Sequence, residues 1–294
     1  MRYLTICIAA IILVSCGSSQ NKNQVQGNDE AKINVKLEAL WEIAPLLQTP
    51  ESVLADESRG ILYVSNMNRD AAPNSASGYI SRVYMDGSII EPEWVKGLNG
   101  PKGMGLFGNN LFVSDYDELV KINIESGKIV ERIKIEGNPN LNGLTVGSDG
   151  SVYITGYDTN IIYKVKDGVV EPIFSGTDGE SFNGLLWETN RILLTTSSGS
   201  TFKSIDWGTS KVTVLAEEIG HGDGIAAVGN GDYIISDWRG RIFYVPAKGE
   251  IITLLDTREQ EINAADIDYV IKTNTLYVPT FYRNTIKAYK LVFE

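Results

Sequence analysis

Glu51, Asn142, Asn183 and Asp223 each stand second in short, similar stretches: Pro50-Glu51-Ser52-Val53, Leu141-Asn142-Gly143-Leu144, Phe182-Asn183-Gly184-Leu185 and Gly222-Asp223-Gly224-Ile225. Pro101-Lys102-Gly103-Met104 and Ala264-Ala265-Asp266-Ile267 complete a set of six, whose second residues lie 51, 40, 41, 40 and 42 positions apart. Brought together, the four polar side chains would supply two carboxylates and two amide oxygens. That is a hard, all-oxygen set suited to one divalent cation, calcium first, then magnesium or manganese. Zinc suits it less, because His221 is the only histidine and no free cysteine is expected in the mature chain. Four protein ligands leave positions for water or substrate, as metal-assisted chemistry requires. Each Asn-Gly or Asp-Gly alone equally suits a bend before a strand. Their recurrence at one register is what points to a common axis.

Other residues bear on chemistry less directly. His221 precedes Asp223 by two positions and is either a proton shuttle or a hydrogen-bonded loop residue. No serine sits in a nucleophile elbow, so a Ser-His-Asp hydrolase has no support. Tyr116, Tyr157, Trp238 and Tyr282 follow the second β-rich run of four repeats. They either rim a ligand site or pack between neighbouring repeats.

The elements that must position these groups are short strands. Each anchor stretch is followed by a polar turn and a β-rich run, at 61–65, 111–114, 152–155, 192–195, 233–236 and 276–278. The third repeat parses into strands at 143–146, 152–156, 161–165 and 169–174, and the fifth at 225–228, 233–236, 241–245 and 251–254. Four strands per repeat of about 40 residues mark a β-propeller blade. The expectation is an all-β, six-bladed β-propeller of four-stranded antiparallel blades. The sixth repeat offers only three strands, at 267–270, 276–278 and 285–291, and residues 35–43 would add the fourth. An N-terminal strand thus closes the ring and removes exposed sheet edges. The first interval is long because of a polar loop at 66–78, which is expected over the funnel mouth as a substrate contact or as surface decoration.

With Glu in the first blade and Asn, Asn and Asp in the third, fourth and fifth, the chain resembles the regucalcin/gluconolactonase family of six-bladed propellers. Asn183-Gly184-Leu185 with Trp187, and Asp223-Gly224, match its motifs. The resemblance implies one divalent cation held by Glu51, Asn142, Asn183 and Asp223, and hydrolysis of a lactone or related ester. Asp223, or Glu51 as second choice, would take the proton of the attacking water. Lys102 would hydrogen-bond developing negative charge or a substrate hydroxyl, or else form a salt bridge to Glu51 or Asp266. Asp266 would support the site or begin a strand. Two features depart from the family: Glu51-Ser52-Val53 stands for Glu-Gly-Pro, and Leu141-Asn142-Gly143 for Arg-x-Asn-Asp-Gly. The lost arginine and aspartate belong to the substrate side. The alternative is therefore a non-catalytic propeller that binds a small ligand or a protein, as NHL-repeat platforms do.

The ends and the bulk composition set the context. Arg2, an apolar run and Leu13-Val14-Ser15-Cys16 resemble a bacterial lipoprotein signal at residues 1–16, with an ordinary secretory signal as the alternative. Cys16 would carry lipid, and a Ser-, Asn- and Gln-rich tether at 17–33 would lead to a propeller at 34–294. Gly17 after the cysteine leans toward the outer membrane, facing the periplasm. With 26 basic and 37 acidic residues the chain carries a net charge of −11. That sign disfavours nucleic acid, and no phosphate-binding glycine pattern supports a nucleotide. Membrane contact is expected through the anchor alone.

Overall fold

The computed structural model describes Met1 and residues 33–43, 46–69 and 75–294. The signal, Cys16, nearly all of the tether and residues 70–74 of the long loop lie outside the described residues. Ile33–Glu294 forms one compact unit. It consists of six four-stranded antiparallel sheets, and the only helical segments among the described residues are three short 3-10 turns.

The innermost strands of the first five blades are Pro50–Asp56, Pro101–Phe107, Leu141–Val146, Phe182–Glu188 and Gly222–Gly229. Each touches the next around the ring, and the sixth blade touches the first. The second strands are Ile61–Asn66, Asn110–Asp115, Val152–Gly156, Arg191–Thr196, Asp232–Asp237 and Thr275–Pro279. Val152–Gly156 is buried along its whole length, whereas Val169–Ser175, outermost in the same blade, is exposed apart from the partly buried Val170 and Phe174. A strand covered by blades on both faces can be apolar throughout, while a rim strand alternates. The core therefore lies between blades. Tyr63, Ile80 and Leu98 of the first blade pack against Leu111, Val113, Val120 and Ile122 of the second.

Ring closure follows the sequence expectation. Val35–Glu42 pairs antiparallel with Ile286–Phe293, from Val35 opposite Phe293 to Glu42 opposite Lys287. The sixth innermost strand is shorter than expected. Only Asp268–Val270 is a strand, preceded by an isolated parallel bridge between Ser52 and Asp266. Ala265 consequently lies outside any strand.

Candidate functional site

In the first five blades the anchor stretches are strand positions, not turns. In the second to fifth blades the first strand leaves register with the second at the anchor: pairing jumps from Pro101 to Met104, Leu141 to Leu144, Phe182 to Leu185 and Gly222 to Ile225. A bulge of this kind re-aims the residues it contains. The glycine after the anchor in these four blades serves the contact between blades. A Cβ on Gly103 would stand 2.7 Å from the Asn142 carbonyl oxygen and 2.6 Å from the Leu144 nitrogen. One on Gly143 would collide with the Asn183 backbone, and one on Gly184 with the Asp223 carbonyl oxygen. The bend reading of Asn-Gly and Asp-Gly thus gives way to one of close backbone approach.

A second repeat, unread in the sequence, locks the anchors' backbone. Ser114 donates to the Asn142 carbonyl at 2.5 Å, Thr155 to that of Asn183 at 2.7 Å, Thr195 to that of Asp223 at 2.5 Å and Ser236 to that of Ala265 at 2.8 Å. Each hydroxyl lies near the end of a second strand and reaches the following blade. Its signal was a Ser or Thr closing the second to fifth β-rich runs, 28 or 29 positions before the anchor it holds.

Glu51, Lys102, Asn142, Asn183 and Asp223 line one cavity of about 240 Å³, together with Tyr157, His221, Trp238, Met67, Arg69, Asn140, Ser197 and Phe281. The last five were not singled out from the sequence. Met67 and Arg69 come from the long loop, so its described part does reach the funnel. Phe281 takes the mouth position that the sequence suggested for Tyr282. Tyr282 is exposed and lines an outer groove beside Trp238, while Tyr116, 38% exposed, lines neither space. Trp238, Phe281 and Tyr282 do stack edge to face, with ring centroids 4.8–6.0 Å apart. Ala265 and Asp266 are absent from the lining. Asp266 instead accepts the Ser52 hydroxyl at 2.7 Å, and burial pushes its carboxyl up to about 7.

The electrostatics are those of uncompensated burial. Burial pushes the Glu51 carboxyl up to about 8, with Lys102 opposing the rise and Asp266 adding to it. Asp223 is raised well above the carboxylate range by burial, then by Glu51 and Asp266. Burial lowers Lys102 against the pull of Glu51 and Asp223. The salt bridge weighed for Lys102 does not form. Its ammonium donates to Asn140 Oδ1 at 2.6 Å, and Asn140 donates to Asp158 at 3.1 Å. His221 is lowered by burial and by Arg239. Its backbone N–H donates to Asp237 at 3.0 Å and its carbonyl accepts from Trp238, holding the loop.

Three buried oxygens in this cavity have no hydrogen-bond partner: Glu51 Oε2, Asn183 Oδ1 and Asp223 Oδ1. Among the described residues, no three His, Cys, Asp or Glu side chains meet to hold a metal. The grouping here is of two carboxylates with amide oxygens, which is the donor type of hard cations. Buried, unpaired and anionic, the set fits a divalent cation.

No family model matches the chain, and no curated protein matches it. Solved structures do. Virginiamycin B lyase from Staphylococcus aureus, in a catalytically inactive form with quinupristin, is 15% identical over 88% of this chain and 100% of that one, with a TM-score of 0.62. An auxiliary nutrient binding protein from Bacteroides thetaiotaomicron is 12% identical over 83% of this chain and 69% of that one, with a TM-score of 0.65. A protein of unknown function from the same species is 9% identical over 89% and 77%, with a TM-score of 0.66. Such identities carry the propeller fold alone. None of the three bears the name of the family that the motifs resemble.

Proposed function

We propose that the funnel holds one divalent cation on Glu51, Asn142, Asn183 and Asp223, and that the protein hydrolyses a lactone or related ester there, as the resemblance to the gluconolactonase family suggests. Calcium suits the oxygen donors best; magnesium, manganese or zinc are the alternatives. The observation that carries the reading is the set of three buried, partnerless oxygens from separate blades facing one cavity. When bound, the cation would polarise the carbonyl and stabilise negative charge on its oxygen. The chain's own side chains supply the rest. Lys102, steadied by Asn140, donates a hydrogen bond to that developing charge. Asp223, with Glu51 as second choice, accepts the proton of the attacking water. Tyr157, Trp238 and Phe281 flank the ligand and limit water.

A second reading has its own support. Asn140 stands where the resembled family carries arginine, two residues before the matched Asn142, which favours binding without turnover. One of the structures sharing the fold is a nutrient binding protein. Two measurements separate the readings. Calcium at about 100 times its dissociation constant should add roughly 2.7 kcal/mol of stability, and Asp223→Asn should abolish that gain. Lactone turnover that stops in chelator and returns with calcium supports hydrolysis. A calcium-induced melting shift without turnover leaves the binding module. No shift with any cation rejects both.

A further inference from the structure

Both signs of charge line the funnel. Glu51 and Asp223 contribute carboxylates, while Arg69 and Lys102 reach the same cavity from the first blade's long loop and the second blade's inner strand. Several other cations find carboxylates, as Arg82 does with Glu91, Lys203 with Glu180 and Arg241 with Asp237. These two do not. The Lys102 ammonium spends its described contact on the neutral Oδ1 of Asn140, and the Arg69 guanidinium lies over the Phe281 ring, 5.9 Å from its centre. Among the described residues neither forms an ion pair. In a chain of net charge −11, Arg69 and Lys102 bring two positive charges to the cavity that also holds Glu51 and Asp223.

We infer that the ligand of this funnel is a small carboxylate, a sugar acid or hydroxy acid in size and polarity, whose carboxylate is held by Arg69 and Lys102 at the mouth. The guanidinium fork matches a carboxylate with two parallel hydrogen bonds, and the lysine adds a point charge beside it. A neutral ligand would offer the Arg69 guanidinium no charged partner. A phosphate dianion would put more negative charge against Glu51 and Asp223 in a space of about 240 Å³. Tyr157 and Trp238 present ring faces to the body of the molecule. This assignment deepens the reading of the funnel as a ligand site and rests on it, but the carboxylate clamp does not depend on the cation.

The test is calorimetric titration of the full chain with glucuronate, glucose and glucose 6-phosphate, each with calcium and with chelator. Glucuronate should bind about tenfold or more tighter than glucose. Arg69→Gln and Lys102→Gln should each erase most of that preference, and Arg69→Lys should restore part of it. The ligand-free melting temperature of each variant reports whether it is folded. Equal affinity for glucuronate and glucose, or no glucuronate binding up to about 10 mM, overturns the inference. So does a preference unmoved by Arg69→Gln, or tighter binding of glucose 6-phosphate. A carboxylate preference that persists in chelator upholds the clamp even where the cation reading fails. A calcium-induced melting shift without that preference does the reverse.

Discussion

Stripped of divalent cations, the protein should lose stability steeply as pH rises. Glu51 is only 5% exposed, and burial carries its carboxyl from the ordinary 4.5 up to about 8. The unfolded chain releases this proton near 4.5 and the folded chain keeps it to about 8, so between those values the folded state binds more protons. Stability is present below the lower value and drains away through the window, by about 1.4 kcal/mol per pH unit. From pH 5 to pH 8 this one group withdraws roughly 3–4 kcal/mol. At about 2–4 °C per kcal/mol, the melting temperature falls by roughly 6–16 °C. Asp223 acts in the same direction, as do Asp266, pushed up to about 7, and Asp268, up to about 6. Lys102, shifted downward, gives the opposite slope between its lowered value and the ordinary 10.5. Circular-dichroism melts in chelator at pH 5, 6, 7 and 8 measure the total, and Glu51→Gln isolates its share. A melting temperature that is flat or rising over this range, or an unchanged slope in Glu51→Gln, refutes the reasoning. Calcium should flatten the slope, because a bound positive charge stabilises the ionised carboxylates.

Three structural perturbations test the frame that holds the site. Gly184→Ala drives a methyl into the Asp223 carbonyl oxygen and should cost about 3 kcal/mol or prevent folding, whereas Gly208→Ala, with only the Asp206 side chain at 3.6 Å, should melt like the parent. Thr155→Val leaves the buried Asn183 carbonyl without its 2.7 Å donor; the expected loss is about 1–3 kcal/mol, read by thermal melting, with weaker calcium stabilisation because the Asn183 backbone is freed. A chain lacking residues 33–43 loses the strand paired with Ile286–Phe293 and exposes that edge; it should aggregate on heating or melt without cooperativity.

The blade count, the ring closure and the register of the anchors were legible because each repeats. A pattern seen six times at about 40-residue spacing averages out local ambiguity. The N-terminal strand was legible by subtraction, since the sixth repeat lacked one. What stayed hidden was whatever depends on neighbours distant in sequence. Phe281 rather than Tyr282 faces the mouth because Phe281 adopts a left-handed backbone (φ 48°), which a repeat-based alignment does not see. Lys102 finds Asn140 because the connection leading into the third blade passes beside it, and no spacing rule links those positions. Arg69 lies in the one loop without a counterpart in the other blades, so repetition could say nothing about it.

The way the frame is built explains why the anchor residues can differ so freely. The ring is fastened through backbone carbonyls and glycine contacts, not through the anchor side chains. Ser236 holds the Ala265 carbonyl at 2.8 Å much as Thr155 holds that of Asn183 at 2.7 Å, although one anchor is a methyl group and the other an amide. Glycine follows the anchor in the second to fifth blades whether that anchor is Lys102, Asn142, Asn183 or Asp223. The side chains aimed at the axis are thus relieved of structural duty. They are free to collect there in a combination that a fold would not select for its own stability: two carboxylates raised by burial and three oxygens without partners. Groups left so costly at the centre of the ring have their explanation in what the funnel binds.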